Sequence, residues 1–136
     1  MFESPFSCSV VRRAIDRELV ASTHGIYRGG LGVPLAMKAM AGGLGMIVDL
    51  NAVPAEDTLR EDALLYSESA GRFIVTIDPN NREAFENLFI AMPMACIGRV
   101  TDNPQLTING LDGSPIVNLT VPALKTAWQK TFGDLI

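Results

Sequence analysis

Apolar side chains recur at helical spacing from Val10 to Leu19, where Val11, Ala14, Ile15 and Leu19 share one face and Ser9 stands in the N-cap position. A short strand over Leu19–Thr23, ending at His24, is expected next. From Leu31 to Met40 the pattern is helical again, with Val33, Met37 and Met40 along one stripe. Pro34 fits only near a helix start, which places that start beside Gly29-Gly30, and Gly42-Gly43 supplies the stop. Leu44–Leu50 alternates as a strand. Pro54–Leu65, rich in Asp and Glu, is expected to be a short helix. Arg72–Ile77 is the clearest strand, β-branched and aromatic, between Gly71 and Asp78-Pro79.

Asp78 and Pro79 have the residue types of an N-cap and first helical position. In the helix they start, Phe85, Leu88, Phe89 and Met92 fall at i, i+3, i+4 and i+7, so the first three are expected in the core. Ala95–Val100, Gln105–Asn109 and Pro115–Leu119 read as three more strands, the last two joined by a turn at Leu111-Asp112-Gly113-Ser114. Thr120 caps a last helix with Leu124, Trp128 and Thr131 on one side. The alternation predicts an α/β (α+β) domain. Its mixed sheet would contain Leu44–Leu50, Arg72–Ile77 and Ala95–Val100, flanked by the Leu31–Met40 and Pro79–Met92 helices.

Composition narrows the function. The 136 residues carry a net charge of −4, and the eleven Lys and Arg are scattered, so a nucleic-acid-binding surface is not expected. No apolar run approaches the ~20 residues of a membrane span, and the amino terminus lacks a signal-peptide pattern. Cys8 and Cys96 are too far apart for a metal-type pair and are expected to be reduced, partly buried thiols in a cytoplasmic protein.

Two segments could carry chemistry. Seven of the twelve glycines lie between Gly25 and Gly45, and in His24-Gly25-Ile26-Tyr27-Arg28-Gly29-Gly30-Leu31 a glycine pair precedes a helix. Free N–H groups there attract anions, and Arg28 could add a charge-assisted contact. Gly29 and Gly30 could equally make only a tight turn. His24 is the only histidine, so no histidine metal cluster exists. In Ser67-Glu68-Ser69-Ala70-Gly71-Arg72, two hydroxyls, a carboxylate and a guanidinium sit before the clearest strand; they could bind a polar ligand, or cap a helix and tie Glu68 to Arg72. Glu56, Asp57, Glu61 and Asp62 read as a solvated face complementing a helix dipole.

These segments come in a recognisable order. Gly29-Gly30-Leu31-Gly32-Val33, Met40-Ala41-Gly42-Gly43-Leu44-Gly45, Val48-Asp49-Leu50, Ser67-Glu68-Ser69-Ala70-Gly71-Arg72-Phe73 and Ile97-Gly98-Arg99-Val100-Thr101-Asp102 together resemble the carboxy-terminal domain of phosphoribosylformylglycinamidine synthase. The resemblance runs from about Ala14 to the end. It implies one domain over residues 1–136 with an unmatched leader over 1–9, truncated at its amino end. It also implies a fold shared with aminoimidazole ribonucleotide synthase, selenophosphate synthetase and a hydrogenase-maturation enzyme. The complete synthase, in this resemblance, turns formylglycinamide ribonucleotide, glutamine and ATP into the amidine, ADP, phosphate and glutamate, using Mg²⁺.

The resemblance marks Arg28, Gly29, Gly30, Ser67, Glu68, Ser69 and Arg72 as substrate-binding candidates and marks no catalytic residue or metal ligand. The family pattern His-Asp-x-Ser-Asp-Gly-Gly-Leu is altered here: Gly25 replaces the first Asp, Tyr27 the Ser and Arg28 the second Asp. The loop with Ala70-Gly71-Arg72 is similar to the second half of the synthase rather than to the substrate-contacting first half. The resemblance thus implies a part that binds no cofactor alone and is inactive without the ATP-handling domains or a sister subunit. Loss of those neighbours would leave Met37, Met40, Met92 and Met94 to drive homo-oligomerisation. A non-catalytic interaction module and the corresponding domain of the hydrogenase-maturation relative are the alternatives.

Overall fold

The computed structural model describes residues 5–130 and 133, with side chains from residue 8 onward. Among the described residues there are five α-helices, and six strands form two sheets. In chain order they are α1 (Pro5–Asp16), β1 (Ser22–Ile26), α2 (Gly32–Gly42), β2 (Gly45–Asp49), α3 (Glu61–Tyr66) and β3 (Arg72–Thr76), then α4 (Arg82–Leu88), β4 (Gly98–Thr101), β5 (Gln105–Asn109), β6 (Pro115–Thr120) and α5 (Val121–Lys130). None of these helices is long and apolar enough to cross a membrane.

The larger sheet has the order β4-β2-β5-β6. β2 pairs antiparallel with β4 and parallel with β5, and β5 pairs antiparallel with β6. Its register sets Met46 beside Leu106 and Val48 beside Ile108, and all four are buried. They meet Leu31 and Leu35 of the α2 region, and Leu124 of α5 packs against the same cluster. The opposite face is polar: Thr107 and Gln105 hydrogen-bond to Asn118 of β6. A half-buried sheet alternates in this way, here in a mixed sheet, because one face must shed water and the other keeps it.

β3 departs from expectation. Arg72–Thr76 does not join β2; among the described strands it pairs with β1 alone, from Ser22 opposite Thr76 to Ile26 opposite Arg72. The reason is visible in its side chains. Ile74 and Ile26 enter the main core, whereas Phe73 and Val75 point the other way, into a second core of Val11, Ala14, Phe85 and Phe89. A strand covered on both faces reads as a continuous apolar run, and periodicity alone does not say how many strands lie beside it.

Other boundaries moved for identifiable reasons. α1 starts at Pro5, so Ser9 lies inside the helix and not at its N-cap. It ends at Asp16, before Leu19, because Glu18 takes a left-handed φ of 57°. The Leu19 N–H then reaches the Ala14 carbonyl (3.0 Å) and the Glu18 N–H reaches Ile15 (2.8 Å), a Schellman-type stop with a non-glycine residue at its turning point. β1 is correspondingly shifted and contains His24. The acidic segment after β2 is irregular as far as Arg60, and only Glu61–Tyr66 is helical. Ala95–Ile97 lies outside β4.

On α2 the buried face is Leu31, Leu35 and Ala39; the expected stripe faces outward, with Val33 and Met37 exposed and Met40 half-buried. α4 stops at Leu88, where Phe85 and Phe89 are buried and Leu88 and Met92 half-buried. Trp128 is 64% exposed, and Thr131 lies outside the described residues. Cys8 and Cys96 are exposed rather than partly buried.

Several local expectations match. Asp78 Oδ1 accepts from the Asn80 N–H (2.8 Å) as Pro79 opens a 3₁₀ turn. Thr120 Oγ1 caps α5 through the Ala123 N–H, and Gly43 ends α2 with φ 64°.

The Glu18 geometry yields a stability test. Left-handed backbone costs an L-residue about 1–2 kcal/mol, offset in part by glycine's greater freedom in the unfolded chain. Glu18→Gly is therefore expected to stabilise the protein by about 0.5–1 kcal/mol. Urea unfolding should show a higher midpoint at unchanged slope; a lower midpoint would contradict the assigned helix stop.

Candidate functional site

The pairing of Ile26 with Arg72 places the end of β1 next to the start of β3. The two glycine- and serine-bearing loops, nearly forty residues apart in sequence, therefore meet at one end of the β1–β3 ribbon. The contact is direct: the Gly29 N–H donates to Glu68 Oε1 at 2.8 Å. A carboxylate here also faces the positive end of the α2 dipole.

The glycines have steric work to do. The Gly30 N–H closes a turn on the Tyr27 carbonyl (3.1 Å) with Gly29 at φ 79°, which a side chain at that turn position disfavours. Gly30, at φ 59°, lies against the end of α3. A Cβ there would come within 2.5 Å of the Leu65 carbonyl oxygen and 2.6 Å of Tyr66 Cα. Both readings of this glycine pair thus describe part of one arrangement: a tight turn, closely packed, whose free N–H meets an anion supplied by the chain itself.

Arg72 holds the second loop. Its Nη2 donates to the Ser67 carbonyl at 2.6 Å and its Nε to the Ser69 carbonyl at 3.4 Å. It makes no tie to Glu68, because Glu68 reaches across to Gly29 instead. Partial burial lowers the Arg72 pKa from its usual value. Arg28 is exposed and has no hydrogen bond or ion pair among the described residues. His24 Nδ1 lies 2.6 Å from the Gly25 carbonyl, and its ring stacks on Tyr27 with centroids 5.6 Å apart.

The substrate-binding candidates therefore divide. Gly29, Gly30, Ser67, Glu68 and Arg72 are engaged in building the junction, while the Arg28 guanidinium and the Ser69 hydroxyl are available to a ligand. Sequence reasoning missed two exposed aromatic rings beside it. Tyr27 is 60% exposed and Tyr66 57% exposed, with the Tyr66 ring over Gly32. The nearby glycines, which leave room for a ring, were the available signal.

The junction does not fit a nucleotide with its metal. The Gly29 N–H that would meet a phosphate is occupied by Glu68, and no group of three His, Cys, Asp or Glu among the described residues is placed to hold a metal ion. Nor are the acids between residues 56 and 62 merely a solvated face: Glu61 Oε1 accepts from the Leu111 N–H at 2.8 Å, fastening α3 to the β5–β6 turn. Beside that contact is a shallow cavity of about 200 Å³, lined by Leu50, Asn51, Asp57, Thr58, Leu64 and Leu111 among others.

Comparison with known proteins gives the following. Residues 7–110 match the family described as AIR synthase related protein, C-terminal domain. The chain is 35% identical over 118 residues to phosphoribosylformylglycinamidine synthase subunit PurL of Deinococcus radiodurans, covering 87% of this chain but only 15% of that relative. Thermotoga maritima PurL, solved in complex with ATP, superposes with a TM-score of 0.77 at 19% identity, over 87% of this chain and 21% of that one. The same organism's PurLQS assembly gives 0.79 at 19% identity, over 91% and 22% respectively. E. coli HypE, a hydrogenase maturation protein, gives 0.69 at 21% identity, over 84% and 39%.

Glycine substitutions test the junction. Gly30→Ala meets both a left-handed φ and backbone oxygen, so a loss of about 3 kcal/mol is expected. Gly113→Ala, at φ 83° with nothing within 4 Å, should lose only about 1 kcal/mol. Equal losses in chemical denaturation would mean that Gly30 is not packed against α3.

Proposed function

The chain belongs to the AIR synthase related protein, C-terminal domain family, and we propose that it is, as a single domain, the carboxy-terminal part of a phosphoribosylformylglycinamidine synthase of purine biosynthesis. The observation that carries this reading is the 35% identity to a PurL subunit across most of the chain. The meeting of the two motif-bearing loops through Gly29 and Glu68 supports it.

The complete enzyme would be a cytoplasmic ligase that activates the formylglycinamide ribonucleotide amide with ATP and displaces phosphate with ammonia from glutamine. ATP and Mg²⁺ would fall to the domains or sister subunit outside this chain. What this chain would contribute is a rigid wall. Glu68, Arg72 and Gly30 hold the junction in shape, and Arg28 and Ser69 present a cation and a hydroxyl to an anionic substrate seated between domains. One observation favours a second reading, a non-catalytic interaction module: Glu68 fills the N–H at the start of α2 that a substrate anion would use.

Reconstitution separates the readings. The purified chain alone is expected to form no amidine product from formylglycinamide ribonucleotide, ATP and either ammonia or glutamine. A polypeptide carrying the missing ATP-handling domains should restore turnover, and Arg28→Ala should then raise KM roughly tenfold or more while leaving folding intact. Turnover by the chain alone would refute the fragment reading. Binding of the added polypeptide without turnover would favour the module.

Self-association is the second expectation. Val33 and Met37 lie one turn apart on the outer face of α2 and are 43% and 41% exposed, and Trp128 stands out from α5. Apolar surface of this kind draws a partner, and two-fold pairing lets one patch cover its own copy. Light scattering at micromolar concentration should report a dimer, and Met37→Glu should shift it towards monomer. A wild-type monomer that binds no hydrophobic dye would overturn this.

A further inference from the structure

The ribbon has a second end, away from the loop junction. There Ser22 of β1 pairs with Thr76 of β3, and the two hydroxyl oxygens are 2.5 Å apart. Lys38, from the last turns of α2, donates its ammonium to Ser22 Oγ. Three elements thus deliver one cation and two hydroxyls to a single point.

Lys38 is unusual in its partners. Among the described residues only Lys38 and Arg72 are half-buried cations; the others are exposed. Arg72 is satisfied by the carbonyls of Ser67 and Ser69. Among the described residues Lys38 has neither a carbonyl nor a carboxylate, only the Ser22 hydroxyl. Burial without a counter-charge pushes its pKa below the usual lysine value.

The proton inventory points outward. The ammonium has three protons and each hydroxyl one, which makes five donors. Two are used, one in each of the hydrogen bonds named. Whichever hydroxyl donates to the other, two ammonium protons and one hydroxyl proton remain. Ser22 is exposed, so this point is open to solvent. Three unused donors around one unneutralised positive charge are complementary to an oxyanion with several acceptor oxygens.

We propose that Lys38, Ser22 and Thr76 form a binding site for a phosphate-type oxyanion, separate from the Gly29–Glu68 junction and independent of the synthase reading. The bound anion would supply the counter-charge that the fold withholds from Lys38. It would also pin the last turns of α2 to the first residue of β1 and the last residue of β3.

The probe is inorganic phosphate, titrated into the full chain at constant ionic strength with chloride as the matched control and acetate as the carboxylate arm. Saturable amide shifts at Ser22, Lys38 and Thr76 are expected in NMR spectra, with a rise in melting temperature that chloride does not give. Acetate should bind more weakly, having fewer oxygens and less charge. Lys38→Met should weaken phosphate binding by roughly tenfold or more, and Thr76→Val, which keeps the side-chain shape, by a smaller factor. If Lys38→Met fails to fold, the shift map of the unsubstituted chain and Thr76→Val still decide. Absence of a saturable phosphate response beyond chloride, shifts centred elsewhere, or equal binding by Lys38→Met or, where that variant does not fold, by Thr76→Val would overturn the assignment.

Discussion

The fold depends on a two-stranded ribbon whose apolar side chains must serve a core on each side. Among the described residues β1 and β3 pair with each other and with no other strand, yet their faces serve different cores. Ile26 and Ile74 close the main core beneath α2, and Phe73 and Val75 close the smaller one against α1 and α4. A two-stranded sheet alone is marginal in water, because it exposes most of its backbone and side-chain surface. Here helices cover both faces, so the ribbon is stabilised by burial rather than by neighbouring strands. Each of the larger strand side chains that is fully removed from water contributes about 1.5–3 kcal/mol, which is why the β-branched and aromatic run falls where it does.

Antiparallel pairing then dictates where chemistry can gather. The carboxyl end of one strand lies beside the amino end of the other, so segments distant in sequence become neighbours at each end of the ribbon. At one end this joins the Arg28–Gly30 turn to Ser67–Ser69 and lets Glu68 reach Gly29. At the other it aligns Ser22 with Thr76 beneath Lys38. The two ends differ in electrostatic character. The first neutralises itself internally, carboxylate against helix dipole, whereas the second leaves a cation with hydroxyls for company.

Much of this was legible in the residues. Gln105–Asn109 needed no correction, and the caps at Asp78 and Thr120 and the stop at Gly43 were recognisable from short-range chemistry alone. The family resemblance and the two candidate loops were legible for a related reason: each rests on residue types at fixed spacing. What could not be read was partnership. Nothing in Arg72–Ile77 distinguishes a central strand from a ribbon covered by helices, since both require apolar residues on two faces. On α2, Val33, Met37 and Met40 are as apolar as Leu31, Leu35 and Ala39, and only tertiary packing selects which stripe is buried. The early end of α1 was hidden because its turning residue is Glu18, not a glycine. Lys38 passed unremarked in the sequence because its interest lies in what fails to surround it.

The position of β2 has a consequence in time. This strand lies between β4 and β5, both of which come later in the chain, and Asn51 just beyond it donates to the Leu111 carbonyl sixty residues on. On a ribosome, β2 would leave the exit tunnel with both hydrogen-bonding edges unpaired while Met46 and Val48 remained exposed. Loop-closure entropy delays such long-range pairing. The chain must therefore pass through a stage in which its most central strand is an open template, and its protection from miscopied pairing rests on how quickly β4 through β6 arrive.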